Sequence, residues 1–282
     1  MNIKCIASIL LGFVSISLSA QVVNIEALRM KTNDLKSLLL SKLNFSYSNN
    51  NGSYYYDVGA GIGATFKSKD RDDTYFVMGD YNLIRSEGED FDNKWFVHLR
   101  YNHEFNNIVR TELFTQSQRN QIQDVNSRNL IGAGLRLKFT LSKAQDNGKN
   151  DTGIRFYLGN AYMYETERSN TIDKTFYNHR HSSYFSFSGH IPKTRLAITN
   201  TLYYQPLYKD FSDYRVTNDL QFEIALDENE ILSFTTSFNY NYDSLTPLNE
   251  SEFSLFVNFG FGLRIDSKKG ITPSKEKDVL IW

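Results

Sequence analysis

Two groups of residues have side chains that could do chemistry. His181 and Ser183 are two positions apart, and a histidine beside a serine can act as a general base on the serine hydroxyl. The second group is cationic: Arg128, Arg136, Lys138, Arg155, Arg180 and Arg264. Because arginine matches carboxylate and phosphate in a planar, bidentate way, such a group would favour anions if its members faced one aqueous space. Both interpretations depend on the elements that position these residues.

The stretch Glu252–Ile265 shows the clearest element. Its bulky apolar residues fall on every second position: Phe253, Leu255, Val257, Phe259, Phe261, Leu263 and Ile265. In an extended chain alternate residues point to one face, and here the opposite face carries small, polar and cationic residues. This pattern predicts a strand with lipid on its outer side and a polar lumen on its inner side.

The rest of the chain repeats this pattern from residue 35 onward. Segments of about ten to fifteen residues alternate and are separated by polar breaks. We count about twelve of them, which predicts an all-β fold, a single antiparallel transmembrane outer-membrane β-barrel with short loops over residues 35–266. An even strand number puts both chain ends in the periplasm. We also expect tight periplasmic turns after strands four, eight and ten, longer breaks after three, five and seven, and no room for a plug domain.

Three segments lie outside the predicted barrel. Residues 1–20 have a cationic start, a short apolar run and small residues before a cleavage site near Ala20, which is typical of a secretory signal peptide. Residues 21–34 are expected to form a periplasmic leader, and residues 267–282 a periplasmic C-terminal tail. Cys5, the single cysteine, would be removed with the signal. These features predict export to the cell outer membrane without a disulfide.

Composition narrows the functional classes. The chain has 21 Phe and 18 Tyr but only 4 Pro, which favours strands. Its mean hydropathy of -0.45 is what alternating strands give when a lipid face and a polar face are averaged. A net charge of -1 provides no electrostatic footprint for nucleic acid. Beyond the signal, no apolar run is long enough for a membrane helix. A soluble periplasmic β protein remains an alternative.

The predicted register gives an inward face with more cations than carboxylates. Besides the six cations named above, it places inward Lys42, Lys67, Arg100, Arg110, Arg195 and Arg215. The inward carboxylates are Asp57, Asp80, Glu104, Glu112, Glu165, Asp219 and Glu223. One interpretation is a closed, ion-paired core. The other is a narrow anion path along strand six, where Arg128, Arg136 and Lys138 have no carboxylate between them.

Several stretches resemble a known family: Gly79–Asn102, Arg110–Gln118, Ser127–Phe139 and the leader Val22–Arg29. They are similar to uncharacterised bacterial proteins labelled salt-induced outer-membrane proteins, including members from the Bacteroidetes. The resemblance implies an outer-membrane barrel, and it brings no activity and no functional residues. The expected partners are outer-membrane lipid, the barrel-assembly machinery and small anionic solutes. No nucleic acid partner and no cofactor are expected.

The His-x-Ser pair resembles that of the outer-membrane phospholipase, which is also a twelve-stranded barrel. His181 and Ser183 share a face with Phe185 and Phe187, so both are predicted to point to lipid near the outer leaflet. No third residue that would orient the histidine can be assigned from spacing. We therefore expect no enzymatic activity, and a lipid-facing hydrolase remains an alternative. His98, His103 and His190 are too far apart in the pattern for a metal site.

Overall fold

The protein is described by a computed structural model that covers residues 22–26, 28–29, 36–50, 53–70, 72–86, 89–121, 125–141, 154–169, 171, 174–191, 194–227, 232–245, 253–263 and 265–266. Long strands dominate it. They are β1 (Ser37–Asn50), β2 (Ser53–Lys67), β3 (Asp73–Ser86), β4 (Glu89–Glu104), β5 (Val109–Asn120), β6 (Val125–Leu141), β7 (Ile154–Ser169), β8 (Thr175–His190), β9 (Leu196–Leu207), β10 (Asp210–Ala225), β11 (Leu232–Asp243), β12 (Phe253–Leu263) and the short β13 (Ile265–Asp266). The predicted signal and C-terminal tail lie outside the described residues.

The strands form one antiparallel sheet that closes on itself. Each strand from β1 to β11 pairs with the next along the chain. β13 continues β12 after one residue and pairs with β1, with Leu38 opposite Asp266 and Leu39 opposite Ile265. Closure removes the free sheet edges that an open sheet would expose. The predicted all-β barrel of about twelve strands is confirmed.

Side chains alternate between an exposed apolar face and a buried polar face. On β4, for example, Val97 and Leu99 are exposed, whereas His98 and Arg100 are buried. The predicted lipid face of β12 is confirmed at its described positions, because these large residues are exposed: Phe253, Leu255, Val257, Phe259 and Phe261. An apolar exterior around a polar interior is the arrangement of outer-membrane β-barrels. Within the described residues, no helix is both long enough and apolar enough to cross a membrane.

The predicted difference in loop length between the two ends of the barrel is wrong. Only residues 87–88 separate β3 from β4, whereas residues 105–108 separate β4 from β5 and residues 142–153 separate β6 from β7. The strands continue beyond their apolar parts, because polar residues extend the backbone ladder. Asp90, for instance, pairs with Arg85 in a stretch expected to be a loop. Loop length therefore does not distinguish the two sides.

Glycines in the wall make room for inward aromatic rings. Gly132 lies opposite Phe114 and Gly159 lies opposite Tyr184 on neighbouring strands. A Cβ atom on either glycine would overlap the facing ring. Each ring thus occupies the space that a side chain at the glycine would take, which fills the interior without widening the barrel.

We expected residues 21–34 to form a leader outside the barrel, but part of this leader lies inside it. Its described part, residues 22–26 and 28–29, is here called the N-terminal segment. In this segment Ile25 and Leu28 are buried in a cluster with Leu38 of β1 and Phe76 of β3. Burying two large aliphatic side chains is favourable by about 1.5 to 3 kcal/mol each, which gives a physical reason for the segment to enter. The segment is too short to be the plug domain that we did not expect, but it fills part of the interior.

Candidate functional site

The candidate site is the ion-paired interior where the N-terminal segment meets strands β4 to β7. Its centre is Arg136 of β6, which is 0% exposed. Nη2 of Arg136 lies 2.8 Å from Oε2 of Glu26 in the N-terminal segment, and Nη1 lies 3.7 Å from Oε1 of Glu112 on β5. Its guanidinium also stacks over the ring of Tyr157, 3.7 Å from the ring centroid. Carboxylates and a π face thus compensate a fully desolvated cation.

The carboxylate of Glu112 pairs with several donor groups at this centre. Its Oε1 is 3.1 Å from Nη2 of Arg29, and its Oε2 is 3.6 Å from Nη1 of Arg100. The hydroxyl of Tyr184 on β8 donates to Oε2 at 2.9 Å. Glu26 and Arg29 are also within 3.6 Å of one another. The segment therefore enters an existing charge network and supplies one carboxylate and one guanidinium to it.

A second cluster surrounds Glu165 of β7. Arg215 approaches it most closely, with Nη1 3.0 Å from Oε2, and Arg128 and Arg180 are at 3.7 and 3.6 Å. Oε2 of Glu167 lies 2.5 Å from Nη2 of Arg128 and 3.1 Å from Nη2 of Arg215. Further carboxylates complete the cluster: Asp213 at 2.9 Å from Arg180, and Asp243 at 2.8 Å from Arg215. Interleaved charges of both signs stabilise this part of the interior.

The N-terminal segment reaches across the lumen. The backbone N–H of Val23 donates to Oε1 of Gln116 on β5 at 2.9 Å. Asn24 hydrogen-bonds Asp219 on β10, while Val22 packs with Phe114, Leu130, Ala161 and Met163. At its other end Leu28 lies 3.7 Å from the position that a Cβ on Gly63 of β2 would take. Contacts with β2, β5 and β10 place the segment inside the closed sheet.

The structure places the cations that were predicted to face the lumen in several different environments. Arg128, Arg136 and Arg180 are buried and ion-paired, Lys138 is buried on the same face of β6, and Arg155 is half-buried. Arg264 lies outside the described residues. Arg195 is exposed beside the turn after β8, so its assignment to the lumen is wrong. β6 itself carries no carboxylate between its cations, but neighbouring strands and the N-terminal segment supply them.

Sequence reasoning missed five charged residues of this interior: Glu26, Arg29, Glu167, Asp213 and Asp243. Glu167 continues the alternation of β7 one step beyond the predicted strand end, so a longer strand would have included it. Glu26 and Arg29 lie on no strand, and no periodicity identifies them. Among the described residues, no group of three or more His, Cys, Asp or Glu could hold a metal ion.

The outward pair His181 and Ser183 lies on the predicted face. Phe185, two residues further along β8, is exposed, and the intervening Ser182 and Tyr184 are buried. The two side chains are in hydrogen-bond contact, with Ser183 Oγ 2.7 Å from Nε2 of His181. The prediction that both point away from the lumen is confirmed, and the pair is therefore separate from the interior site.

Comparison with solved structures shows similarity to barrels of bacterial outer membranes. The "NanC porin" is 8% identical with a TM-score of 0.48, covering 81% of this chain and 99% of that one. The "KdgM porin", also solved in complex with disordered oligogalacturonate, is 11% identical with a TM-score of 0.38, covering 80% and 98%. The translocator domain of the autotransporter NalP from Neisseria meningitidis is 9% identical with a TM-score of 0.39, covering 86% and 95%. Similarity at this level carries no information on what this barrel binds.

Family membership comes from the sequence. No curated protein matches this chain. A family model matches residues 48–263, which span β2 to β12 and only the last three residues of β1. The matched range excludes the N-terminal segment, so that part of the interior is outside the family pattern. The chain belongs to the family described as "Protein of unknown function, DUF481".

Proposed function

We propose that this protein is an outer-membrane channel for small, preferentially anionic solutes, and that its own N-terminal segment closes it at rest. The observation that carries the proposal is the contact between Glu26 and the fully buried Arg136. Glu26 belongs to a segment outside the barrel wall, so this contact can form and break while the sheet stays intact. Outer-membrane lipid surrounds the barrel in this account, and the barrel-assembly machinery inserts it.

The charge arrangement supports an anion preference once the segment has left. Glu26 then no longer faces Arg136, and Arg100 and Arg136 share the single carboxylate of Glu112, at 3.6 and 3.7 Å. An excess positive charge in a narrow, low-dielectric passage attracts anions. Arg29 leaves together with Glu26, so the segment removes no net charge from the lumen as a whole. The change is local to the wall of β4 to β6.

The way the segment is held supports reversible closure. Its attachment depends on a few polar contacts and on the burial of Val22, Ile25 and Leu28, and no backbone ladder joins it to the sheet in the described residues. Three buried aliphatic side chains contribute about 4.5 to 9 kcal/mol together. Part of this is offset by the loss of backbone freedom on ordering the segment. The remaining free energy is small enough for a ligand or the membrane environment to shift the equilibrium.

Planar-bilayer recordings test the channel. Refolded mature protein should conduct rarely, whereas a variant lacking residues 21–29 should conduct steadily. In a salt gradient the reversal potential of that variant should show anion preference, and Arg136→Ala should weaken it. Lys94→Ala is the matched control, because Lys94 is also buried and inward but pairs with Asp92 and not with the segment. If the shortened barrel did not conduct, or if it preferred cations regardless of Arg136, a structural barrel without transport would replace this proposal.

A further inference from the structure

The outward surface of β7, β8 and β9 carries a cluster of polar groups that the channel does not use. Ser183 Oγ lies 2.7 Å from Nε2 of His181 and 2.9 Å from Oδ1 of Asn160 on β7. Nδ1 of the same histidine lies 3.2 Å from the hydroxyl of Tyr208, which follows β9. Spacing alone did not supply a third residue for this histidine. In the closed sheet, Asn160 of β7 and Tyr208 after β9 are both within hydrogen-bond distance of the pair.

The position of the cluster on the barrel is informative. Asn160, Ser183 and Tyr204 form one outward row across the three strands. On one side the next row is apolar, with Leu158, Phe185 and Leu202. On the other side Tyr162 faces His181, and Tyr162 and Tyr208 approach to 5.9 Å between ring centroids. Tyrosine belts lie at the level of lipid head groups, with the acyl chains beside the apolar rows. Ser183 is therefore at the boundary where the ester bonds of membrane lipids lie.

An apolar groove adjoins this boundary. It encloses about 580 Å³ on the outer face of β3 to β7. Its outward lining includes Leu99, Leu113, Ile131, Ala133, Tyr162 and Tyr164. Tyr162 belongs both to the groove and to the row that faces His181. Through Tyr162 the groove adjoins His181, so an apolar surface continues around the barrel from the polar cluster.

We propose that Ser183, His181, Asn160 and Tyr208 form a lipid-facing esterase site that acts on ester-linked acyl chains of membrane lipids. This inference uses the membrane location from the proposed function but not the channel, because the site lies on the opposite face of the wall. It also reverses our expectation, drawn from the sequence, that the protein has no enzymatic activity. What changes the assessment is the third group at Nδ1, since recognition of such sites depends on geometry rather than on sequence position.

Each residue has a distinct role. His181 accepts the hydroxyl proton of Ser183 at Nε2, which requires the neutral ring to carry its proton on Nδ1. The hydroxyl of Tyr208 accepts that Nδ1 proton and holds the ring in this tautomer, so Tyr208 is a positioning residue. Asn160 lies beside the hydroxyl, and a 180° turn of its amide would direct Nδ2 at the reacting centre. There the N–H groups can donate to the oxyanion.

The reaction balances with water as the second reactant. The Ser183 O–H bond breaks, its proton moves to His181, and Oγ forms a bond to the ester carbonyl carbon, whose oxygen takes the π electron pair as an oxyanion. When the carbonyl re-forms, the bond to the lipid alcohol breaks, and that oxygen takes the proton from His181. Water then attacks the acyl-serine by the same route. Free fatty acid and the lipid with one acyl chain fewer are released, and Ser183 regains its proton.

The test measures fatty acid release by the folded mature protein in mixed micelles. One arm uses phosphatidylethanolamine and a second uses purified lipid A, which distinguishes a glycerolipid from an acylated saccharide as the source of the ester. Release in either arm supports the esterase. We expect Ser183→Ala to reduce release to the protein-free rate and His181→Asn to slow it by about 10² to 10⁴-fold. Tyr208→Phe should alter the pH profile of release while Ser183 still reacts with a fluorophosphonate probe.

Ser117 provides the matched control. It is also outward and hydrogen-bonds an asparagine, Asn129, across the neighbouring strand at 2.7 Å, but this contact contains no histidine. Ser117→Ala should leave release unchanged, and the fluorophosphonate should label Ser183 and not Ser117. Circular dichroism of every variant shows whether the barrel is folded. Absence of release and of labelling from the folded wild type in both arms would overturn the proposal, as would equal release by Ser183→Ala. Neither result bears on bilayer conductance, so the two proposals fail separately.

Discussion

Removing the carboxylate of Glu26 should release the N-terminal segment from the lumen. Glu26 is 1% exposed, and its Oε2 lies 2.8 Å from the fully buried Arg136. Breaking one partner from a buried ion pair costs about 3 to 5 kcal/mol, because the remaining charge is left uncompensated. Glu112 still lies 3.7 Å from Arg136, so the lower end, about 3 kcal/mol, applies. Since 1.4 kcal/mol corresponds to a factor of ten, Glu26→Ala should raise the released fraction about 10²-fold.

A single cysteine reports on this release. Ile25 is fully buried beside Glu26, and the only native cysteine is Cys5, which lies in the predicted signal peptide. Ile25→Cys in the mature chain should react slowly with a water-soluble maleimide, and adding Glu26→Ala should increase the rate about 10²-fold, since labelling follows the open population. Asp92→Ala is the control, because Asp92 belongs to a buried inward pair with Lys94 at 2.7 Å. Equal rates with and without Glu26 would refute the reasoning.

Two further predictions concern the wall. Phe259→Arg on the outer face of β12 should cost about 2 to 4 kcal/mol of folding free energy near the bilayer midplane. Thr235→Arg should cost much less, because Thr235 pairs with the inward Gly260, where an added Cβ would meet open space. Urea unfolding in vesicles compares the two variants, and equal costs would contradict the register. Gly159→Ala should cost about 1 to 3 kcal/mol because it displaces the Tyr184 ring, while Gly260→Ala should stay within about 0.5 kcal/mol. Similar losses at both glycines would contradict the packing of rings over the wall.

The wall could be predicted from the sequence because each of its residues obeys a local rule. Alternation assigned Phe253 to Phe261 to the outer face and Arg136 to the inner face, since side-chain direction in a strand repeats every two residues. Strand ends were harder, because the polar residues around Asp90 continue the backbone ladder without an apolar signal. Extending β7 by a single step would have included Glu167.

The contents of the lumen could not be predicted in the same way. The sequence showed an excess of cations on the inward face, which we interpreted either as an ion-paired core or as an anion path along strand six. Glu26 supplies part of the balancing charge from a segment that has no strand periodicity and whose burial depends on the closed barrel. The contact of Tyr208 with His181 is likewise a product of sheet registry and of the turn that follows β9. Long-range contacts of this kind leave no pattern in a single sequence.

The central claim is that the N-terminal segment controls passage through the barrel, and a reversible cross-link tests it most directly. The backbone N–H of Val23 lies 2.9 Å from Oε1 of Gln116, so a short, reductant-cleavable bis-methanethiosulfonate reagent should join cysteines at these two positions and hold the segment inside. Glu26→Ala is added because it should release the segment when the link is cut. In bilayers, the Val23→Cys, Gln116→Cys, Glu26→Ala protein should be silent when linked and should conduct after reduction, with either single-cysteine variant insensitive to reductant. Conductance that is identical in the linked and reduced protein would contradict the account.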